Sequence, residues 1–152
     1  MLIHTTRFGD IEVSEDMLLQ FPHGLPGFPD EREFACLPVE ENNPFAFLQS
    51  VNEPNLTFTL VDPFAFFQDY EFSLDDQVAK EIGLTATNLP RIYNIVSVPA
   101  NPEEMTANLL APLIINTESR KAIQMILEKT AYTTRHRLFP NGFDKQPGKG
   151  GK

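Results

Sequence analysis

Met105–Leu127, MTANLLAPLIINTESRKAIQMIL, is the stretch whose reading sets the fold. Leu109-Leu110-Ala111-Pro112-Leu113-Ile114-Ile115 is a short apolar run closed by Asn116 and Thr117. A second apolar run, Ala122–Leu127, follows after Thr-Glu-Ser-Arg-Lys. Runs of this length, rich in Ile and bounded by turn formers, predict two buried strands joined as a hairpin. A helix over Glu118–Thr130 is the competing reading. Ala122 and Ile126, like Ile123 and Leu127, stand four residues apart, and the residues around them favour helix. It would turn the hairpin into a strand–helix unit.

Working outward, most of the chain carries strand signals. Leu2–Phe8 and Ile11–Val13 flank Gly9-Asp10 and predict an N-terminal hairpin. Phe34–Val39, Phe45–Val51, Leu56–Val61 and Arg91–Pro99 read as further strands, each ended by Pro or by polar residues. Phe64–Phe72, FAFFQDYEF, holds five aromatics and is expected to be a strand on propensity. Ser73–Leu84 is the best helix: Ser73 or Asp75 caps it, Leu74, Val78 and Ile82 recur every four residues, and Gly83 stops it. Three prolines and two glycines in Phe21–Pro29 exclude regular structure and predict a rigid corner pinned by Phe21, Leu25 and Phe28. The expected architecture is mainly β: a small antiparallel β-barrel-like domain with one or two short helices over residues 1–140, and a disordered Gly/Lys-rich tail over 141–152.

Charge is split along the chain. The net charge is −9, but residues 1–119 hold 19 of the 21 acidic groups and four basic ones. Residues 120–152 hold eight basic groups and two acidic ones. An acidic body repels phosphates, which argues against direct nucleic-acid binding, and it suits a basic protein partner. The Arg135-His136-Arg137 cluster matches no nucleic-acid recognition module and is expected to offset the acidic body or meet an acidic partner surface. No apolar run reaches the length of a membrane span, and the start lacks the order of a signal peptide, so a cytoplasmic protein is expected. His4, His23 and His136 are far apart, Cys36 is the sole cysteine, and no nucleophile elbow, phosphate loop or dinucleotide fingerprint occurs. No catalytic residue, metal site or cofactor is expected.

Four stretches bear a family likeness: Phe21–Phe28; Pro44–Ser50 with Leu56–Pro63; Val96–Pro99; and Thr106–Asn116 with Arg120, Gln124, Arg135 and His136. In order and combination they resemble the bacterial flagellar assembly factor FliW family. The resemblance implies a non-enzymatic regulator with a small β-barrel-like fold. It implies binding to the RNA-binding translational repressor CsrA, relief of CsrA's silencing of flagellin synthesis, and a chaperone-like hold on flagellin that makes a partner switch. A monomer when free is expected. The contact face expected within this reading is acidic and aromatic-flanked: Asp69, Tyr70, Glu71, Asp75 and Asp76, joined by Glu103 and Glu104. The alternative is a small-molecule-binding or enzymatic β-barrel, its cavity lined by Phe64, Phe66, Phe67, Asn108 and Gln124.

Overall fold

The computed structural model describes residues 1–143. The central hairpin forms: β9 (Leu113–Asn116) pairs antiparallel with β10 (Lys121–Gln124), and the helix over Glu118–Thr130 does not. Asn116 decides this. Its side-chain oxygen accepts from the Glu118 and Ser119 amides at 2.9 and 3.2 Å, which folds the chain back within one turn. Arg120 completes the turn at φ 61°. Side chains that hydrogen-bond nearby backbone amides favour turns over helix interiors.

Around this hairpin lie β3 (Leu18–Gln20), β4 (Glu33–Pro38), β5 (Phe45–Ser50), β6 (Thr57–Val61) and β7 (Arg91–Ser97). The order β7-β6-β5-β4-β3-β10-β9 closes on itself because β9 also pairs with β7, giving a seven-stranded barrel. A closed ring with an odd number of strands cannot be antiparallel throughout. One parallel seam is obligatory, and it falls between β3 and β10, at Gln20 and Lys121. Closure leaves the barrel strands few open edges.

The interior is filled by one side-chain set from alternate positions. Leu19, Phe34, Leu48, Leu60, Leu113, Ile115 and Ala122 are buried there, with Phe21 and Leu25 of the Pro/Gly corner plugging one end. Each large side chain of this kind contributes about 1.5–3 kcal/mol through burial. Gly24 shapes the corner: its φ is +65°, and the backbone carbonyl oxygens of Phe28 and Pro29 approach to 2.6 Å from where a Cβ would stand. Phe28 is 40% exposed, so it pins the corner only partly, against Phe58.

Three outer layers cover the barrel. The N-terminal hairpin, β1 (Leu2–Thr5) with β2 (Gly9–Glu12), sets Ile3, with Val13 just beyond β2, against Ala35. Helix α1 (Asp76–Glu81) lies by the outer side of β9, where Ile82 meets Ile114 and Met125. Asp75 caps it, accepting from the Gln77 amide at 2.8 Å, and Gly83 at φ 79° ends it. A short flange, β8 (Thr106–Ala107) with β11 (His136–Arg137), extends from the second half of β7.

The expected strand over Phe64–Phe72 is a correction. Asp62 accepts from the Phe64 amide at 3.0 Å, and Pro63 opens a 3-10 turn over Pro63–Ala65. Proline has no N–H for a ladder and fixes φ near the helical range, so this capped start outweighs aromatic strand propensity. The aromatics pack as a lid instead: Phe66 lies against Phe45 and Phe139. Part of the predicted tail, residues 144–152, lies outside the described residues. Asn141–Phe143 are described, and Phe143 packs edge-on against Phe139 at 4.7 Å.

Candidate functional site

Between the aromatic lid and α1, the chain crosses the outer surface as Asp69–Asp76. Asp69, Glu71, Asp75 and Asp76 are all exposed on this one segment. Their spacing is held from beneath by Tyr70, which is only 4% exposed. Its hydroxyl donates to the Leu109 carbonyl at 2.8 Å, and Asn94 Nδ2 donates to it at 3.3 Å. Tyr70 therefore does not line the face, as the sequence suggested; it is the post on which the acidic segment stands. Burial, the dominant influence, pushes its phenol up to about 12. The hydrogen bond from Asn94 opposes that rise, and the neighbouring Tyr132 adds to it.

Tyr132 is the second support. Its ring meets Tyr70 edge-on at 4.8 Å, and its hydroxyl accepts from the Glu71 amide at 3.1 Å. Nothing in the local sequence linked residues 71 and 132. The signal available was only that each sits in an aromatic-rich, otherwise polar segment.

Glu103 and Glu104 belong elsewhere. They sit in a 3-10 turn (Pro102–Glu104) capped by Asn101, beside the β8–β11 flange. Arg137 donates to the Glu103 carbonyl at 3.0 Å, which brings the basic C-terminal cluster onto this turn. His136 of the same cluster accepts from the Thr133 amide at 2.9 Å, with its ring beside Phe67 and Tyr132. Among the described residues no hydrogen bond or ion pair joins Glu103 or Glu104 to Asp69–Asp76.

Beside Glu71 and Asp75 runs a surface cleft of about 430 Å³, lined also by Phe72, Met125, Ile126 and Glu128. The sequence gives no sign of Ile126 in this lining, since it falls in an apolar run that reads as core; it is 63% exposed. The residues proposed to line a ligand cavity do not form one. Phe64 is exposed, whereas Phe66 and Phe67 pack in the outer lid. Asn108 accepts from the Leu110 and Ala111 amides, and Gln124 donates to the Ala111 carbonyl. Among the described residues no group of three His, Cys, Asp or Glu side chains is placed to hold a metal ion, and no helix is long and apolar enough to cross a membrane.

Comparison with known proteins adds the following. A family model described as "FliW protein" matches residues 2–138. The "Flagellar assembly factor FliW" of Heliobacterium modesticaldum is 49% identical over 152 residues, which is 99% of each chain. The protein of the same name from Bacillus subtilis is 40% identical over 136 residues, covering 90% of this chain and 95% of its own. A solved structure described as a crystal structure of the flagellar assembly factor FliW superposes with a TM-score of 0.84 at 41% identity, covering 92% of this chain and 98% of that one.

Proposed function

Because the chain belongs to the FliW family of flagellar assembly factors, we propose that it is a cytoplasmic, non-enzymatic binding module that captures the translational repressor CsrA, relieves its silencing of flagellin synthesis, and exchanges it for flagellin. Family membership supports the flagellar role. On this chain, the observation that carries the partner reading is the acidic face: Asp69, Glu71, Asp75 and Asp76 are exposed on one segment that Tyr70 and Tyr132 hold in place.

A protein that binds RNA presents cationic surface to phosphates. A fixed array of carboxylates attracts such a surface, speeds encounter and disfavours acidic competitors. Docking beside the RNA site accounts for RNA release without imitation of RNA, because carboxylates held near the bound strand repel its phosphates. Glu103 and Glu104, in the turn beside the β8–β11 flange, supply a second acidic spot that a partner the size of flagellin reaches alongside the first.

The test is to mix the purified protein with CsrA and a labelled flagellin leader RNA at low and moderate salt. A stable protein–protein complex with RNA set free is the expected result, and added flagellin returns CsrA to the RNA. Absence of a complex at either salt overturns the reading.

A further inference from the structure

Past Gln124 the chain of β10 does not leave the sheet. The Met125 amide donates to the Pro112 carbonyl at 2.9 Å, and the Leu127 amide donates to the Leu110 carbonyl at 2.8 Å. Along an antiparallel ladder, hydrogen-bonded pairs alternate with pairs whose N–H and C=O groups turn to the opposite edge. With residues 125 and 127 bonded inward, the amides of Ile126 and Glu128 turn outward. Among the described residues neither has a hydrogen-bond partner. The strand that borders this edge, β3, reaches it only at Lys121.

Ile126 and Glu128 also line the cleft described above, together with Glu71, Phe72, Ser73 and Asp75. The Phe72 and Ser73 amides also lack a partner among the described residues. Exposed Ile126 supplies an apolar contact, while Glu71, Asp75 and Glu128 at the rim outnumber Lys129.

We propose that the outer edge of β10, from Gln124 to Glu128, is a docking edge that takes up an extended segment of a basic partner protein as an added strand. Unpaired edge amides require carbonyl acceptors, and a strand laid alongside provides them at the right repeat. The incoming segment needs apolar residues to meet Ile126, alternating with Lys or Arg to meet Glu71, Asp75 and Glu128. The same charges exclude a second copy of this chain, since self-pairing would bring like acidic rims together in a protein of net charge −9. The inference rests on the partner reading above only for the identity of the protein that donates the strand.

Backbone hydrogen exchange on the full-length protein tests it, followed residue by residue by NMR. Two probes are used: purified CsrA, and a synthetic peptide of alternating Lys and Val with blocked ends, with an alternating Glu and Val peptide as control. The expected result is that the amides of Ile126 and Glu128 slow at least about tenfold with CsrA and with the basic peptide, but not with the acidic one. Met125 and Leu127, already bonded, change little. If CsrA binds while the outward amides exchange at their free rate, the edge inference is overturned and the partner reading stands. If the basic peptide protects these amides but CsrA forms no complex, the edge stands and the partner reading falls. If neither probe protects them, the edge inference is overturned. Ile126→Pro removes one outward donor and leaves the bonds of Met125 and Leu127 in place, and it weakens CsrA binding by about fivefold. An unchanged affinity counts against the edge.

Discussion

Replacing Tyr70 by phenylalanine removes one oxygen atom from beneath the acidic segment. That oxygen donates to Leu109 O at 2.8 Å and accepts from Asn94 Nδ2 at 3.3 Å. Asn94 keeps its bond to the Asn108 carbonyl at 2.8 Å, so the larger loss falls on the Leu109 carbonyl, left buried without its donor. A lost buried hydrogen bond with an orphaned acceptor costs about 2 kcal/mol. For a chain of this size that lowers the melting temperature by about 4–8 °C.

The effect has a pH signature. The folded phenol titrates at about 12 against an ordinary value of 10.0. The folded state therefore holds a proton that the unfolded chain has released between those two values. The associated stability is fully present below pH 10 and is lost as pH rises toward 12. Through this one group, each pH unit between 10 and 12 removes about 1.4 kcal/mol from the wild type and nothing from Tyr70→Phe. The gap of about 2 kcal/mol near pH 8 closes to less than about 1 kcal/mol at pH 11. Other groups that titrate in this range, such as Cys36 and Tyr93, are common to both proteins and cancel in the difference. Urea unfolding followed by circular dichroism at pH 8 and pH 11 measures both gaps. Equal stability at pH 8, or a gap that does not narrow at pH 11, refutes the role given to the hydroxyl.

Three further outcomes are expected. Reversing charge at Asp69, Glu71 and Asp76 together weakens CsrA binding and flattens its salt dependence, which calorimetry at two ionic strengths reads; unchanged affinity removes the acidic face from the interface. Gly24→Ala forces a Cβ into a left-handed position 2.6 Å from two carbonyl oxygens, so urea unfolding should show a loss of more than about 2 kcal/mol. Burial pushes the Cys36 thiol up to about 11, against the pull of Arg91. Iodoacetamide at pH 8 should therefore modify it on the order of a hundredfold more slowly than an ordinary cysteine, and a normal rate would contradict that environment.

What the sequence made legible was local. The central hairpin was readable because Leu109–Ile115 and Ala122–Leu127 are apolar runs of strand length around a turn whose key residue, Asn116, is a turn former. Helix α1 was readable from Asp75 and Gly83, which cap and stop it, but it is shorter than the expected Ser73–Leu84, because the Asp75 cap starts it only at Asp76. Over Phe64–Phe72 the aromatic content signals a strand, but the capping chemistry of Asp62-Pro63 prevails over it. The non-local facts had no sequence signal. Neither the β7–β9 closure nor the parallel β3–β10 seam follows from any periodicity. The same holds for the acidic face. Its carboxylates were visible as residue types, but the burial of Tyr70 under them depends on Leu109, Asn94 and Tyr132, all distant in the chain. Charge alone groups Glu103 and Glu104 with them, whereas the chain sets these two in a separate 3-10 turn beside the β8–β11 flange.

The parallel seam also bears on how the protein is made. Gln20 must wait for Lys121 before the ring can shut. On a translating ribosome, β3 to β7 emerge as an open, curling sheet while the strands that close it are still unsynthesised or inside the exit tunnel. Pairings between such distant residues are slow to form, and the open sheet exposes its edges in the meantime. The ring therefore cannot shut until β9 and β10 have left the tunnel, and the support that Tyr132 gives to the acidic segment comes later still. Closing the barrel and bracing the acidic segment are thus both late events along the chain, and neither is available to its first half alone.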